Sequence, residues 1–163
     1  MGTEAEFRVY AEQEIGRTLN KRHKTVLVSE EFDPGGPIFP AFLRGYSPDK
    51  KWEDPYSEGE ITEEEMRTFV ERCKEAVRLQ EKVLGKDKSF RNLDLNIKEH
   101  KELFDSVCNL ICATDDRTRD YLSNMLYKLD HIKDDLGLFE DILRCVHAHR
   151  QTGSDPYITV QYD

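Results

Sequence analysis

The chain contains no apolar run approaching the roughly twenty residues that cross a bilayer as a helix, so no transmembrane helix is expected. Residues 1–20 are charged and periodic, which is not the pattern of a secretory signal. Basic residues are in short supply: 24 Lys and Arg stand against 33 Asp and Glu, for a formal charge of −9. That balance repels phosphate backbones and argues against a nucleic-acid partner. Only Lys21-Arg22-His23-Lys24 and Lys50-Lys51 form local basic patches, and both are short. The four cysteines, Cys73, Cys108, Cys112 and Cys145, lack the spacing of a disulfide framework. Each lies in or beside a helical apolar pattern, where a thiol behaves as a small hydrophobe, and a reducing, cytoplasmic compartment is the natural reading.

Signature motifs are missing as well. Asp33-Pro34-Gly35-Gly36 matches neither a Walker loop nor a dinucleotide-binding turn, and there is no Gly-x-Ser-x-Gly elbow. No Glu-x-x-His or His-Glu-x-x-His occurs, although helical-bundle metal enzymes commonly use such pairs. Neither a cofactor nor a metal is therefore expected.

What the chain does have is amphipathic periodicity. With 37% hydrophobic and 35% charged residues it is too apolar and too periodic for disorder, and it suits surface-rich helices around one core. Its 163 residues form a single domain, 1–163, large enough to fold without staples. Residues 3–20 read as a first helix, with Phe7, Ala11, Ile15 and Leu19 recurring every four residues. Lys24 to Ser29 is a β-branched run of strand length, and Asp33-Pro-Gly-Gly-Pro37 is a turn. Residues 38–43 return as a second strand, which Pro40 confines to an edge.

From 44 to 61 no period survives. Irregular stretches of this length inside a domain are usually functional. This one and the run before it concentrate Phe32, Phe39, Phe42, Tyr46, Trp52 and Tyr56, six of the chain's sixteen aromatics. Glu53 to Glu65 then holds seven acids and no base. Thr62 and Glu65 make a capping box, with Ile61 and Met66 placed as its hydrophobic staple. The helix they open buries Met66, Phe69, Val70, Cys73, Val77, Val83 and Leu84, with Gln80 within that face, and stops at Gly85. A further helix, capped by Asp94 or Asn96, carries Ile97, His100, Leu103, Phe104, Val107, Cys108, Ile111 and Cys112 on one face. Thr114-Asp115-Asp116 ends it and caps the next.

Leu122, Met125, Leu129, Ile132, Leu136, Phe139, Leu143 and Val146 then alternate steps of three and four. Leucine at every seventh position suggests a zipper, but a DNA-binding zipper needs a basic helix upstream, and Leu103 to Asp116 is apolar and acidic. Tyr121, Leu126 and Ile142 also widen the stripe beyond a two-stranded seam. It reads as a core helix of an intramolecular bundle, with a homodimer through this face as the alternative. An unbroken helix from Arg117 to Arg150 would run about 51 Å, longer than a domain of this size. A break near Leu136-Gly137 is therefore expected. After Arg150, residues 153–163 form a terminal strand, pairing with 25–29, or a tail that orders on binding.

Three constellations carry chemistry. Cys108 and Cys112, one turn apart, would need Cys73 and Cys145 to complete a zinc site, and no ligand spacing supports that. Glu99, His100 and Glu102 lie together, as do Asp130, His131, Asp134 and Asp135, but only Glu99-x-x-Glu102 supplies one half of a metal-dependent hydrolase, and Asp130, His131 and Asp134 lie off the apolar stripe on a solvated face. Arg144 and His149 match the pattern of helical ribonucleases of the HEPN type, an Arg followed four to six residues later by a His, as do Arg17 and His23. The bland account of Arg144 and His149 is that cations near a helix C-terminus complement its dipole.

The fold class expected is mainly α: a bundle of four to five amphipathic helices with a small antiparallel β element from 24–29, 38–43 and 157–162. The function expected is non-enzymatic binding of another protein, basic in character, by an acidic regulatory, inhibitory or immunity-type module. Phe39, Phe42, Arg44, Tyr46, Trp52 and Tyr56 are the expected contact residues, since aromatics and arginine dominate interface hot spots. A helical enzyme, ribonuclease or hydrolase, is the alternative.

Overall fold

A computed structural model describes residues 3–15, 18–32, 57–151, 153 and 155–162. The chain is mainly α with an antiparallel β element, as its periodicity predicts. The helical unit is bracketed by two short strands, β3 (Ser57–Ile61) and β4 (Asp155–Tyr162), which pair antiparallel from Ser57↔Tyr162 to Ile61↔Ile158. Between them run α1 (Glu63–Leu84), α2 (Lys98–Leu110), α3 (Asp116–Asn124) and α4 (His131–Gln151). Two 3-10 turns, Phe90–Asn92 and Leu126–Asp130, serve as connectors.

The start of α1 follows the sequence closely. Thr62 Oγ1 accepts from the Glu65 N–H at 3.0 Å and Glu65 Oε1 accepts from the Thr62 N–H at 3.1 Å. Ile61 and Met66 are both buried beside this cap. Gly85 ends the helix at φ +90°, a backbone state that side chains resist. Gln80 is fully buried at the far end of α1, where its Nε2 donates to the Lys88 carbonyl at 2.7 Å and ties the last turn to the following loop.

α1 and α4 are the principal helix pair and run antiparallel. Phe69 of α1 meets Phe139 of α4 with ring centroids 5.6 Å apart, and Glu63 at the start of α1 is ion-paired to Arg150 near the end of α4. α4 also packs on β1 (Thr3–Ile15), β2 (Thr18–Phe32) and β4, and α2 packs on α1. The core therefore joins Val9, Ile61, Ile158 and Val160 of the sheet to the buried faces of all four helices.

Residues 3–20 are the main departure from expectation, since they are not a helix. β1 and β2 form a long antiparallel hairpin, from Thr3↔Phe32 to Ile15↔Thr18, with irregularities at Glu4/Glu6 and Ala11/Gln13. The four-residue recurrence of Phe7, Ala11 and Ile15 is also a subset of an alternation, Ala5, Phe7, Val9, Ala11, separated by Glu6, Arg8 and Tyr10. A period of two and a period of four share every other member, and the pairing partner decided between them. β4 pairs with β1, Val9 opposite Ile158, and not with 25–29. The sheet order is β2-β1-β4-β3. The expected strand 38–43 lies outside the described residues, and 57–61, the end of the irregular stretch, is β3.

The expected break at Gly137 is also corrected. α4 continues through Gly137, and the apolar run is instead interrupted at Met125, whose φ of −131° and ψ of 55° leave the helical region. Gly137 is exposed, so its conformational cost is outweighed by the packing of Ile132, Phe139, Ile142 and Val146 on either side. The innermost stripe of α4 is Ile132, Asp135, Phe139, Ile142 and Val146, while Leu136 and Leu143 are half-buried. Leu136 and Leu143 thus flank the seam, whereas Leu122 and Leu129 are fully buried, and the seam faces the chain's own core. Nor is α2 capped by Asp94 or Asn96: its N-cap is Ile97, and Asp94 instead accepts from the Asn96 N–H while donating its own N–H to His100 Nδ1 at 2.9 Å.

Replacing the exposed Gly137 by Ala should stabilise the protein by about 0.5–1 kcal/mol in urea unfolding, because the added Cβ meets nothing within 4 Å. Thr62→Ala should cost about 1 kcal/mol through loss of the cap. A neutral Gly137→Ala would mean that α4 is not helical at that point.

Candidate functional site

The residues expected to contact a partner, Phe39, Phe42, Arg44, Tyr46, Trp52 and Tyr56, lie outside the described residues. Part of the acidic run that follows them is described, and much of its charge is used internally. Glu63 pairs with Arg67 at 2.5 Å as well as with Arg150, and Glu65 closes the capping box. The acids here fasten α1 to α4 and start the helix.

Arg144 and His149 are both on α4. Arg144 is exposed and ion-paired to Asp141 one turn earlier, whereas His149 is half-buried. Five residues at 3.6 per turn place them about 140° apart around the helix axis, so α4 alone does not converge them on one phosphate. Glu99, on the first turn of α2, and Glu102, just after it, are exposed. Asp130, expected on a solvated face with His131 and Asp134, is drawn inward, as is Asp135. Asp130 Oδ1 accepts from the Phe90 N–H at 2.9 Å, locking the two 3-10 turns together with Arg91 at 3.5 Å, and Asp135 is only 3% exposed.

The cysteines separate into two kinds. Cys73 and Cys108 are fully buried, as expected of core thiols, while Cys112 and Cys145 are half-buried. Cys112 does not share a helical face with Cys108, because α2 has ended and Cys112 sits at φ +61°. There it occupies the left-handed position of a Schellman turn, in which the Ala113 N–H bonds the Cys108 carbonyl at 2.8 Å and the Cys112 N–H bonds the Asn109 carbonyl at 3.2 Å. Burial pushes the Cys73 thiol far up, assisted by the nearby Asp135 charge. It pushes the Cys108 thiol up to about 11, against the lowering pull of Arg119. Neither is a thiolate nucleophile near neutral pH. Among the described residues, no three His, Cys, Asp or Glu side chains stand together as a metal ion would require.

One concave site is assembled from two elements that the sequence treats separately. α2 supplies Lys101, Phe104, Asp105 and Asn109, and α3 supplies Asp116, Arg119, Asp120 and Ser123, around an open groove of about 430 Å³. α3 owes its start to Asp115, whose side chain accepts from the Thr118 N–H at 2.9 Å. Leu122 pins the buried side of α3, which turns the stripe 116, 119, 120, 123 toward the groove. Inside it, Arg119 Nη2 donates to Asp105 Oδ1 at 2.6 Å, and Lys101 Nζ lies 3.4 Å from the same oxygen. Lys101 also sits 5.4 Å from the centre of the Phe104 ring. Asp105 is thus neutralised twice, while Asp116 and Asp120, one turn apart and exposed, form no ion pair among the described residues. The spacing of Asp116 and Asp120 is legible in the sequence. Their meeting with Asp105 and Lys101 is not.

Comparison with known protein families, curated proteins and solved structures finds no match to this chain. No helix among the described residues is long and apolar enough to cross a membrane.

The Cys108 thiol gives this region a pH signature. The folded chain keeps the Cys108 proton up to about pH 11, whereas an exposed thiol releases it near 9.0. The unfolded state therefore binds fewer protons between those values. The stabilisation is complete below about pH 9 and is lost as pH rises toward 11, by an amount on the order of 2–3 kcal/mol. Urea unfolding of wild type and Cys108→Ala at both ends of that window should show the variant's deficit shrinking as pH rises. A deficit independent of pH would mean that the thiol is exposed.

Proposed function

We propose that the protein is a non-enzymatic, acidic binding module of the regulatory, inhibitory or immunity type, acting in the cytoplasm on a basic protein partner. The observation that carries this reading is the α2–α3 groove, where Asp105 is already satisfied by Arg119 and Lys101 while Asp116 and Asp120 form no ion pair among the described residues. A Lys or Arg side chain from a partner, entering between α2 and α3, completes that charge pattern. The net charge of −9 steers a basic protein toward the molecule over a longer range. In the same reading, Phe39, Phe42, Arg44, Tyr46, Trp52 and Tyr56 add the apolar anchors that charge alone does not provide.

The test is capture of partners from the native host on immobilised protein. Asp116→Asn/Asp120→Asn should reduce capture of a basic partner about tenfold, and the wild-type complex should weaken with added salt. Phe42→Ala or Trp52→Ala should also reduce capture without altering the melting temperature. Undiminished, salt-insensitive capture by the Asp116/Asp120 variant would remove the groove from the interface. Unfolding of the aromatic variants would assign those rings to the core.

A further inference from the structure

Three large apolar side chains stand exposed among the described residues, and all three fall at one end of the helical unit. Val83 in the last turn of α1 is 37% exposed, Ile97 at the N-cap of α2 is 41% exposed, and Tyr127 in the second 3-10 turn is 44% exposed. This is the end where α1 finishes and residues 85–97 lead the chain into α2. Gln80 holds that connection through the Lys88 carbonyl, and the Asp94 N–H donates to His100 Nδ1. Asp130 fastens the second 3-10 turn to the same connection by accepting from the Phe90 N–H. Lys128 Nζ lies 5.4 Å from the centre of the Tyr127 ring. A single exposed apolar side chain is ordinary, but three gathered on joined connections is the pattern of a contact surface.

The same end reverses the charge of the molecule. From Lys82 to Lys98 the chain carries Lys82, Lys86, Lys88, Arg91 and Lys98 against only Asp87 and Asp94, although the whole chain stands at −9. All five cations are exposed. Arg91 pairs with Asp130 at 3.5 Å, while Lys82, Lys86, Lys88 and Lys98 form no ion pair among the described residues. Lys82 complements the negative end of α1, but Lys86 and Lys88 lie beyond that turn. Lys98 stands in the first turn of α2, where a cation opposes the helix dipole. Charges farther off than about 8 Å are largely screened at physiological ionic strength, so a partner in contact here meets the local positive charge.

We propose that this end of the helical unit is a docking surface for an acidic protein segment, which brings apolar side chains to Val83, Ile97 and Tyr127 and carboxylates to Lys86, Lys88 and Lys98. The occupant is a polypeptide because Asp87 and Asp94 interrupt the cations. Nucleic acid or an anionic membrane presents negative charge throughout and meets both acids as repulsion, whereas a polypeptide places its carboxylates one by one. The surface shares no residue with the α2–α3 groove and takes a partner of opposite charge, so it does not rest on the reading of that groove.

The experiment is selection from a random peptide library on the immobilised full chain, followed by fluorescence-anisotropy titration of the enriched peptides. One enriched class should carry net negative charge and at least two large apolar residues. Lys86→Glu/Lys88→Glu/Lys98→Glu should weaken its binding about tenfold or more, and so should Val83→Ser/Ile97→Ser. Each of these side chains is exposed, so the melting temperatures should stay at the wild-type value. If charge reversal lowers the melting temperature, Lys86→Gln/Lys88→Gln/Lys98→Gln gives the same comparison with a smaller perturbation. Asp116→Asn/Asp120→Asn should leave the acidic class bound as before, which separates this surface from the groove. Absence of an acidic class, or acidic peptides indifferent to both the lysine and the apolar substitutions, would overturn the proposal. So would tighter binding of phosphatidylserine vesicles or single-stranded RNA than of those peptides, or a dimer of the full chain that the lysine substitutions dissociate.

Discussion

The antiparallel contact of α1 with α4 is the constraint that the rest of the structure obeys. β3 leads into α1 and α4 leads out to β4, so bringing the two helices side by side brings the two strands into register from Ile61↔Ile158 outward. Phe69 against Phe139 sets the depth of that contact, and Glu63 with Arg150 closes its end. Once β4 is placed, its other edge is available to β1, and the β1–β2 hairpin completes a sheet with α4 across it. The order of assembly in space thus differs from the order in the chain, since β1 and β2 come first in sequence but attach to a strand formed by the last residues. Such long-range pairing carries a loop-closure cost that only a well-packed helical core offsets.

The remaining helices fill the long connection between α1 and α4, and they do so with polar groups placed inside the fold. Asp130 receives the Phe90 N–H and clips one 3-10 turn to the other, and Gln80 holds the loop after α1. Cys112 accepts a left-handed backbone so that α2 can turn sharply into α3, a position where glycine is the usual occupant. That turn is what sets α2 and α3 beside each other and opens the groove lined by Asp105, Asp116, Arg119 and Asp120. A charge on each helix is an ordinary surface feature. Two helices packed side by side make a site in which one carboxylate is paired twice and two form no ion pair among the described residues.

The starts of α1 and α3 and the end of α1 were legible in the chain, because capping is local chemistry, although the start of α2 was not. Thr62 with Glu65, Asp115 with Thr118 and Gly85 act on neighbours within four residues, so sequence spacing specifies them. The groove was not legible, because Asp105 and Arg119 are fourteen residues apart and meet only across a helix–helix contact. The same reasoning applies to the heptad leucines, of which Leu122 and Leu129 are fully buried while Leu136 and Leu143 are half-buried. Leu136 and Leu143 mark an amphipathic face correctly to within one position, but which side chain reaches the seam depends on the rotation of α4 against α1 and the sheet, and Asp135 occupies it.

By itself, then, the sequence determined the helical character of most of residues 63–151 and the apolar faces of α1 and α2 except at Val83 and Ile97, which are exposed. Tertiary structure decided the remainder. Ala5, Phe7, Val9, Ala11 and Ile15 satisfy a helical and an extended period together, and they became β1 because β2 and β4 supply its backbone hydrogen bonds from either side. Gly137 weakens a helix locally, yet α4 runs through it because the residues on both sides are buried against α1 and the sheet. In both places the local preference is worth about 1 kcal/mol or less per residue. Burial of a single large apolar side chain is worth about 1.5–3 kcal/mol, so packing overrode the local signal.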